Sequence, residues 1–118
     1  ELAASTLEAR RMRQLDEAAE VSDWTRCTDT VPYLDPNGRQ RRYVPDLLVQ
    51  FRDGSVVVEE VKPKDRVTHP ETVAKAIAAE EYYSSRGISY HIVSDPEIDR
   101  RSGDEALFRS LRIDAFRQ

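Results

Sequence analysis

Residues 42–64 read RYVPDLLVQFRDGSVVVEEVKPK and predict two β-strands joined near Asp53-Gly54. Both strands are apolar, as buried strands are. Yet Asp46 lies near the start of the first strand, and Glu60 and Lys62 lie at the end of the second. Burying a charged group is unfavourable unless the group is paired or binds a metal ion. The hairpin therefore predicts a candidate site as well as the centre of a fold.

Hydrophobic periodicity and turn residues extend the pattern along the chain to seven elements in the order α-β-β-β-α-β-α. The predicted elements are a helix over residues 3–20, strands over 21–33, 40–51 and 55–62, a helix over 71–86, a strand over 88–93 and a helix over 103–116. The βαβ step should cross over right-handedly and make the fourth strand parallel to the third. This order predicts an α/β fold, a mixed four-stranded sheet flanked by helices.

Length and composition restrict the class of protein. A chain of 118 residues with 39% hydrophobic and 34% charged residues fits one globular domain, which we expect to span residues 1–118. No apolar run approaches the roughly 20 residues that cross a bilayer, so no membrane association is expected. Cys27 is the only cysteine, which excludes an internal disulfide and a multi-cysteine zinc site. A cytoplasmic location is the expectation.

The register of the hairpin decides whether its charges meet, and the sequence leaves two alternatives open. A two-residue turn at Asp53-Gly54 would pair Asp46 with Val61 and put Asp46 and Glu60 on different faces. A three-residue loop over residues 52–54, or a bulge, would pair Asp46 with Glu60. In the second case two carboxylates and the ammonium of Lys62 converge at one end of the sheet. Such a group suits a hard divalent cation, and Mg²⁺ prefers a few carboxylate oxygens while keeping bound waters.

The spacing Pro45-Asp46 … Glu60-Val61-Lys62 resembles the PD-(D/E)XK pattern of a large nuclease superfamily. Further segments resemble the N-terminal catalytic domain of TnsA-like transposon endonucleases, and together they extend the resemblance over nearly the whole chain. These segments are Ser5-Thr6-Leu7-Glu8, Tyr33-Leu34-Asp35-Pro36-Asn37-Gly38, Arg42-Tyr43-Val44-Pro45-Asp46, Phe51-Arg52-Asp53-Gly54 and Glu60-Val61-Lys62-Pro63.

The resemblance implies a restriction-endonuclease-like αβββαβ core and a specific site. It implies that Glu8 of the first helix joins Asp46 and Glu60 as a metal ligand, and that Lys62 completes a catalytic set of these four residues. It also implies Mg²⁺ or Mn²⁺ as the cofactor, double-stranded DNA as the substrate and a DDE-type transposase subunit as the partner. The oligomeric state stays open.

Several of these residues also have purely structural interpretations. Ser5-x-x-Glu8 fits a helix capping box, although Glu8 also shares a face with Met12 and Leu15 of the predicted helix. Glu60 and Lys62 could form a salt bridge at the sheet edge. Glu59 is expected to be solvated or to face the hairpin. The remaining polar candidates, His69, His91, Trp24 and Cys27, are expected to be surface, strand or packing residues rather than ligands.

Basic residues concentrate around the second and third strands, although the net charge is −4. The candidates for DNA contacts are Arg39, Arg41, Arg42, Arg52, Lys64, Arg66 and Lys75. They could follow phosphates beside the metal site, and the alternative is a solvated hairpin face. The negative overall balance predicts weak intrinsic affinity for DNA and therefore a partner that delivers the domain to its target.

Three functions are compatible with this pattern. The first is a Mg²⁺-dependent DNA endonuclease that makes the strand cut at a transposon end together with a transposase. The second is a repair or phage nuclease or resolvase of the same fold. The third is a non-catalytic interaction module, which the intact Asp46, Glu60 and Lys62 set argues against.

Overall fold

The computed structural model of the chain describes residues 2–98, with the side chains of residues 6–95 and of Ile98. The predicted last helix over residues 103–116 lies outside that range. The elements are α1 (Leu2–Glu17), β1 (Val21–Arg26), β2 (Val31–Leu34), β3 (Gln40–Tyr43), β4 (Leu47–Phe51), β5 (Val56–Val61), a 3₁₀ turn (Lys64–Arg66), α2 (Pro70–Ser84), β6 (Ser89–Val93) and α3 (Asp95–Ile98). None of the described helices has the length and apolar character of a membrane span.

Four strands form the central sheet in the order β1-β4-β5-β6. β4 pairs antiparallel with β1 and β5, whereas β5 and β6 are parallel, as the βαβ step requires. The predicted mixed four-stranded sheet is confirmed. Two separate clusters of buried residues cover its faces, one containing Leu7 and Leu15 of α1 and the other containing Ala76 and Tyr83 of α2. The sheet is thus enclosed between the two helices, and β5 is buried on both sides.

The structure differs from the prediction in the first two strands, each of which is broken in two. β2 and β3 leave the central sheet and form a separate two-stranded ribbon. Pro45, which has no N–H for a strand ladder, lies between β3 and β4 and explains one break. The ribbon turns at Asp35, whose Oδ1 accepts hydrogen bonds from the backbone N–H groups of Asn37 and Arg39 at 2.9 Å each. It packs against α2, where the Tyr33 hydroxyl donates to Glu71.

The register of the β4–β5 hairpin resolves the two sequence alternatives. Leu47 lies opposite Glu59 and Gln50 lies opposite Val56, and the backbone N–H of Phe51 donates to the carbonyl of Ser55 at 2.9 Å. The loop is therefore the three-residue loop over residues 52–54. Continuing this register by one residue places Asp46 opposite Glu60, on the α2 face of the sheet. The carboxylates fall on one face because the loop has three residues.

Gly54 is the residue that this loop requires, because its φ is +91°, in the region that favours glycine. An alanine at this position meets no neighbouring atom, so its cost is backbone strain alone. We expect Gly54→Ala to lower the free energy of unfolding by about 1 kcal/mol. Urea denaturation measures this, with Thr68→Ala at an exposed loop position as the control. Equal midpoints for Gly54→Ala and the wild type would contradict the proposed strain.

Candidate active site

Asp46 is held at the sheet end by backbone contacts. It directly precedes β4, and its Oδ2 accepts a hydrogen bond from the N–H of Val61 on the neighbouring strand at 2.8 Å. Its own carbonyl accepts a hydrogen bond from the N–H of Cys27 at 3.0 Å, which ties the end of β1 to the same point. The side chain is therefore fixed by the ends of three strands rather than by a mobile loop.

Glu60 and Lys62 extend this group along β5. Lys62 Nζ lies 3.7 Å from Glu60 Oε2, as expected for side chains two residues apart at a strand end. Glu60 is buried, whereas the side chain of Lys62 keeps 27% of its exposure. The second oxygen of Glu60, Oε1, is buried without a hydrogen-bond partner. A buried carboxylate oxygen without a donor is unfavourable, and a hard cation is a ligand that would satisfy it.

The electrostatics of the two carboxylates follow from burial and proximity. Burial and then the charge of Glu60 raise the pKa of Asp46 to about 8, while the Val61 N–H opposes the rise. Burial also raises the pKa of Glu60, against the opposing charges of Lys62 and Lys75. Both shifts mean that the two buried carboxyl groups resist carrying two negative charges together, which is the condition under which a divalent cation gains affinity.

Glu8 comes to this site from α1. It is half-buried, and the protonated form of Asp46 is stabilised by a hydrogen bond to the Glu8 carboxylate. The capping-box interpretation is wrong, because α1 begins at Leu2 and Ser5 is already inside the helix rather than at its N-cap. The structure thus brings Glu8, Asp46, Glu60 and Lys62 to one end of the sheet.

These side chains do not form a closed metal cage. In the part of the chain that the structure describes, no group of three or more histidine, cysteine, aspartate or glutamate residues is arranged to hold a metal ion. The predicted ligand set of Glu8, Asp46 and Glu60 therefore stays a prediction. An open site with two closely spaced carboxylates nevertheless fits Mg²⁺, which is commonly bound through one or two protein carboxylates and keeps several waters.

The predicted DNA-contacting residues divide by position. Arg39, Arg41 and Arg42 lie exposed at the β2–β3 ribbon, where Arg41 Nε donates to Asp35 Oδ2 at 3.0 Å. Arg52 lies elsewhere, in the hairpin loop at the opposite end of β4, and its Nε donates to the carbonyl of Ala19 at 2.7 Å. Arg52 lies six positions after Asp46, across the whole length of β4, which is about 20 Å at about 3.3 Å per residue. Arg52 is therefore not beside the candidate site.

The other three basic candidates lie downstream of β5. Lys64 and Arg66 are exposed in the 3₁₀ turn that follows it. Lys75 is half-buried on α2, with its Nζ 6.0 Å from the ring centre of Tyr33 and 5.3 Å from that of Tyr43. Its charge reaches Glu60 and lowers that carboxyl's pKa. Lys75 thus belongs to the wall of the candidate site rather than to a separate basic surface.

Two tyrosines beside the carboxylates were not predicted as part of the site. The Tyr43 hydroxyl donates to the Tyr90 hydroxyl at 3.1 Å. Burial is the largest cause that raises the pKa of both phenols, and the charges of Glu60 and Asp46 add to it. Tyr43 follows Arg41 and Arg42 in the ribbon, and Tyr90 lies within an apolar strand. No local sequence pattern therefore marks either tyrosine as a site residue. Only the tertiary structure, which packs Tyr43 against the buried cluster that contains Tyr90, places them together.

The expectation that Glu59 is solvated is wrong. Glu59 is 2% exposed and faces α1, where Arg11 binds it through two hydrogen bonds. The burial of β5 on both faces could have indicated this, because an acid in a doubly buried strand needs a cationic partner.

The two histidines lie at the surface and in a strand, as the sequence predicted. His69 is exposed and caps α2, with its Nδ1 accepting from the N–H of Glu71 at 3.2 Å, and His91 is a buried residue of β6.

Comparison with known families identifies the domain. The family model described as "TnsA-like endonuclease N terminal" matches residues 18–95, which is 78 of the 118 residues. The chain belongs to this TnsA-like family. The match covers Asp46, Glu60 and Lys62 and begins after Glu8. A comparison with curated proteins finds no significant match. The TnsA-like domain is therefore a nuclease of a family associated with transposition, and such nucleases generally use divalent metal ions.

Proposed function

We propose that this TnsA-like domain is a DNA endonuclease that depends on Mg²⁺ or Mn²⁺. It hydrolyses a phosphodiester at the sheet end where β4 begins and β5 ends. The observation that carries the proposal is the buried Glu60 carboxylate. One of its oxygens lacks a partner, and Asp46 and Lys62 flank it. A buried carboxylate oxygen without a donor calls for a water or an ion as its partner, and a second buried acid beside it favours a cation.

Asp46 and Glu60 would hold the ion, with Glu8 as the third candidate ligand. When bound, the ion supplies charge stabilisation to the phosphoryl group and lowers the pKa of a bound water. The hydrogen bond from Val61 fixes the direction of Asp46, so that it does not have to reorganise during the reaction.

Lys62 is the group that can act on the substrate directly. In hydrolysis, water adds to phosphorus, one phosphorus–oxygen bond to the sugar breaks, and the leaving oxygen gains a proton. The Lys62 ammonium, partly exposed beside Glu60, can position the attacking water or offset the negative charge that develops on the phosphoryl oxygens. Lys75 would contribute a second positive charge on the α2 side of the site.

Nicking of supercoiled plasmid tests the proposal. The full chain is incubated with Mg²⁺, with Mn²⁺ and with EDTA, beside Asp46→Asn as the matched inactive variant. We expect open-circular product with either metal and none with EDTA or with the variant. Equal nicking by the variant would show that the activity comes from elsewhere, and no nicking with either metal, even with a partner transposase present, would favour a non-catalytic module.

The ribbon arginines are expected to contact DNA, whereas Arg52 is not. Arg42→Ala should weaken binding to random duplexes of any sequence and reduce the slope of log affinity against log salt by about 1. Arg52→Ala is the matched control, because it removes the same charge at the far end of β4. Fluorescence anisotropy at several salt concentrations measures both. A larger effect of Arg52→Ala would place the DNA on another surface.

The proposed setting is the strand cut at a transposon end, with a DDE-type transposase as partner. The net charge of −4 and the local distribution of arginines support a domain that relies on another subunit for its target. Phosphate contacts alone bind DNA without sequence selectivity, with dissociation constants of about 10⁻⁴–10⁻⁶ M at physiological salt. We expect the isolated chain to bind transposon-end and random duplexes equally weakly. Tight, end-selective binding by the isolated chain would instead indicate a self-sufficient site-specific nuclease.

A further inference from the structure

A buried ion pair joins α1 to the central strand that carries the candidate site. Arg11 Nε donates to Glu59 Oε1 at 2.8 Å and a second guanidinium nitrogen donates to Oε2 at 2.5 Å. The third guanidinium nitrogen donates to Gln14 Oε1 at 2.5 Å. Arg11 is fully buried and Glu59 is 2% exposed. The planar fork therefore fixes both the distance and the angle between helix and strand.

The two residues of this pair are each next to a residue of the candidate site. Arg11 lies one turn after Glu8, about 4.5 Å along the helix axis. Glu59 directly precedes Glu60 on β5 and faces α1, whereas Glu60 faces α2. The pair thus connects the backbone that carries Glu8 to the backbone that carries Glu60 and Lys62.

Stability alone does not explain why a charged pair occupies this position. Leu7 and Leu15 flank Arg11 at one turn on either side, and both are buried against the same face of the sheet. Buried ion pairs can often be replaced by apolar residues of similar volume with little or no loss of stability. Apolar contacts, however, are non-directional and would let the helix settle in slightly different positions.

We propose that the Arg11–Glu59 pair is a positioning device that sets Glu8 against Asp46 in the nuclease site. The proposal rests on the function proposed above. Its consequence is that the pair affects metal binding and the chemical step through Glu8 alone. DNA affinity depends on other residues and is unaffected.

The test is a double-mutant cycle in the full chain. Arg11→Met with Glu59→Leu replaces the pair by apolar residues, Glu8→Gln removes the carboxylate that the pair positions, and the triple variant combines them. Arg13→Met, an exposed position on the same helix, is the control. The measurements are kcat and KM for plasmid nicking, Mn²⁺ affinity by calorimetry, and a metal-free crystal structure of the apolar variant.

The apolar variant should lose about 10- to 100-fold in kcat and in Mn²⁺ affinity, as replacement of outer-sphere partners of metal ligands does. Its KM should stay unchanged within about twofold, and adding the apolar pair to Glu8→Gln should cost no more than about a further twofold if the whole effect passes through Glu8. Wild-type kcat and Mn²⁺ affinity in the apolar variant would overturn the proposal. The proposal would also be overturned if the triple variant lost kcat or Mn²⁺ affinity by the product of the losses of the apolar variant and of Glu8→Gln.

Two further outcomes are also decisive. If the apolar variant does not fold, Arg11→Lys takes its place in the same cycle, since it keeps the charge without the fork. Unfolding of both would show a purely structural role and overturn the proposal. If the wild type neither nicks DNA nor binds Mn²⁺, the proposed function fails. In that case the metal-free structure decides the positioning role, which is overturned if Glu8 still contacts Asp46 and supported if Glu8 has moved away.

Discussion

Lys62→Ala is expected to reduce metal-dependent nicking by about 10²- to 10³-fold, the loss typical of removing one preorganised charge-stabilising group. The ammonium is the only partly exposed cation that the described structure places in an ion pair with Glu60. Its removal leaves none of the described side chains in that position to align water or to offset charge on the phosphoryl oxygens. A bound divalent ion compensates the carboxylates but does not replace this contact.

The same substitution should leave the fold intact. A lysine with 27% exposure at 3.7 Å from its partner contributes little to stability, about 1 kcal/mol or less. Arg13→Ala, an exposed basic residue of α1 outside the candidate site and the candidate DNA contacts, is the control and should keep its nicking activity within a few-fold. Circular dichroism melts accompany the rate measurements. Wild-type rates in Lys62→Ala would show that the lysine serves only as a salt-bridge partner.

Asp46→Asn is expected to abolish nicking and, without divalent ions, to make the protein more stable. The pKa of Asp46 is raised to about 8 in the folded protein, against about 3.9 in an unfolded chain. The folded state therefore binds this proton more tightly. The associated stability is fully present below about pH 4 and is lost as the pH rises to about 8. At pH 7.5 the variant, which never ionises there, should melt about 5 °C or more above the wild type.

The amide preserves the other contact of this side chain, because its carbonyl oxygen can still accept from the Val61 N–H. Thermal melts from pH 4 to pH 8 should show that the wild type loses stability with rising pH more steeply than the variant. Mn²⁺ should stabilise the wild type and leave the variant unchanged. Asp65→Asn, an exposed acid in the 3₁₀ turn, is the control. Parallel pH profiles for Asp46→Asn and the wild type would contradict the burial of an ionisable Asp46.

Local sequence signals predicted the central sheet because each of them favours the same strand neighbours that the tertiary structure contains. The Asp53-Gly54 turn, the apolar run of β5 and the βαβ step each specify a neighbour, and the parallel β5–β6 pair follows from them. The breaks in the first two strands were not predicted. Pro45, which has no N–H for a strand ladder, was a local signal for the break between β3 and β4. Only the packing of the ribbon on α2 shows that the chain leaves the sheet after β1.

The residue types of the candidate site could be read from the sequence, whereas their geometry could not. Asp46, Glu60 and Lys62 follow from the motif spacing, whereas the register that unites them depends on whether the loop has two or three residues. Arg11 was missed because it lies beside Arg10 and Arg13, and such a group of arginines is also compatible with a solvated helix face. Its partner Glu59 could be assigned only after both faces of β5 were known to be covered. Long-range pairing of charges is not encoded in any local pattern.

Crystals of the full chain soaked in Mn²⁺ provide the most direct test that Asp46 and Glu60 share one divalent ion. Anomalous scattering from manganese locates the ion independently of the protein phases, and the same soak of Asp46→Asn crystals is the control. We expect one strong peak in contact with an oxygen of Asp46 and with Oε1 of Glu60, and no such peak in the variant. A peak elsewhere, or ordered carboxylates with no ion between them at saturating Mn²⁺, would contradict the assignment of this sheet end as the nuclease site.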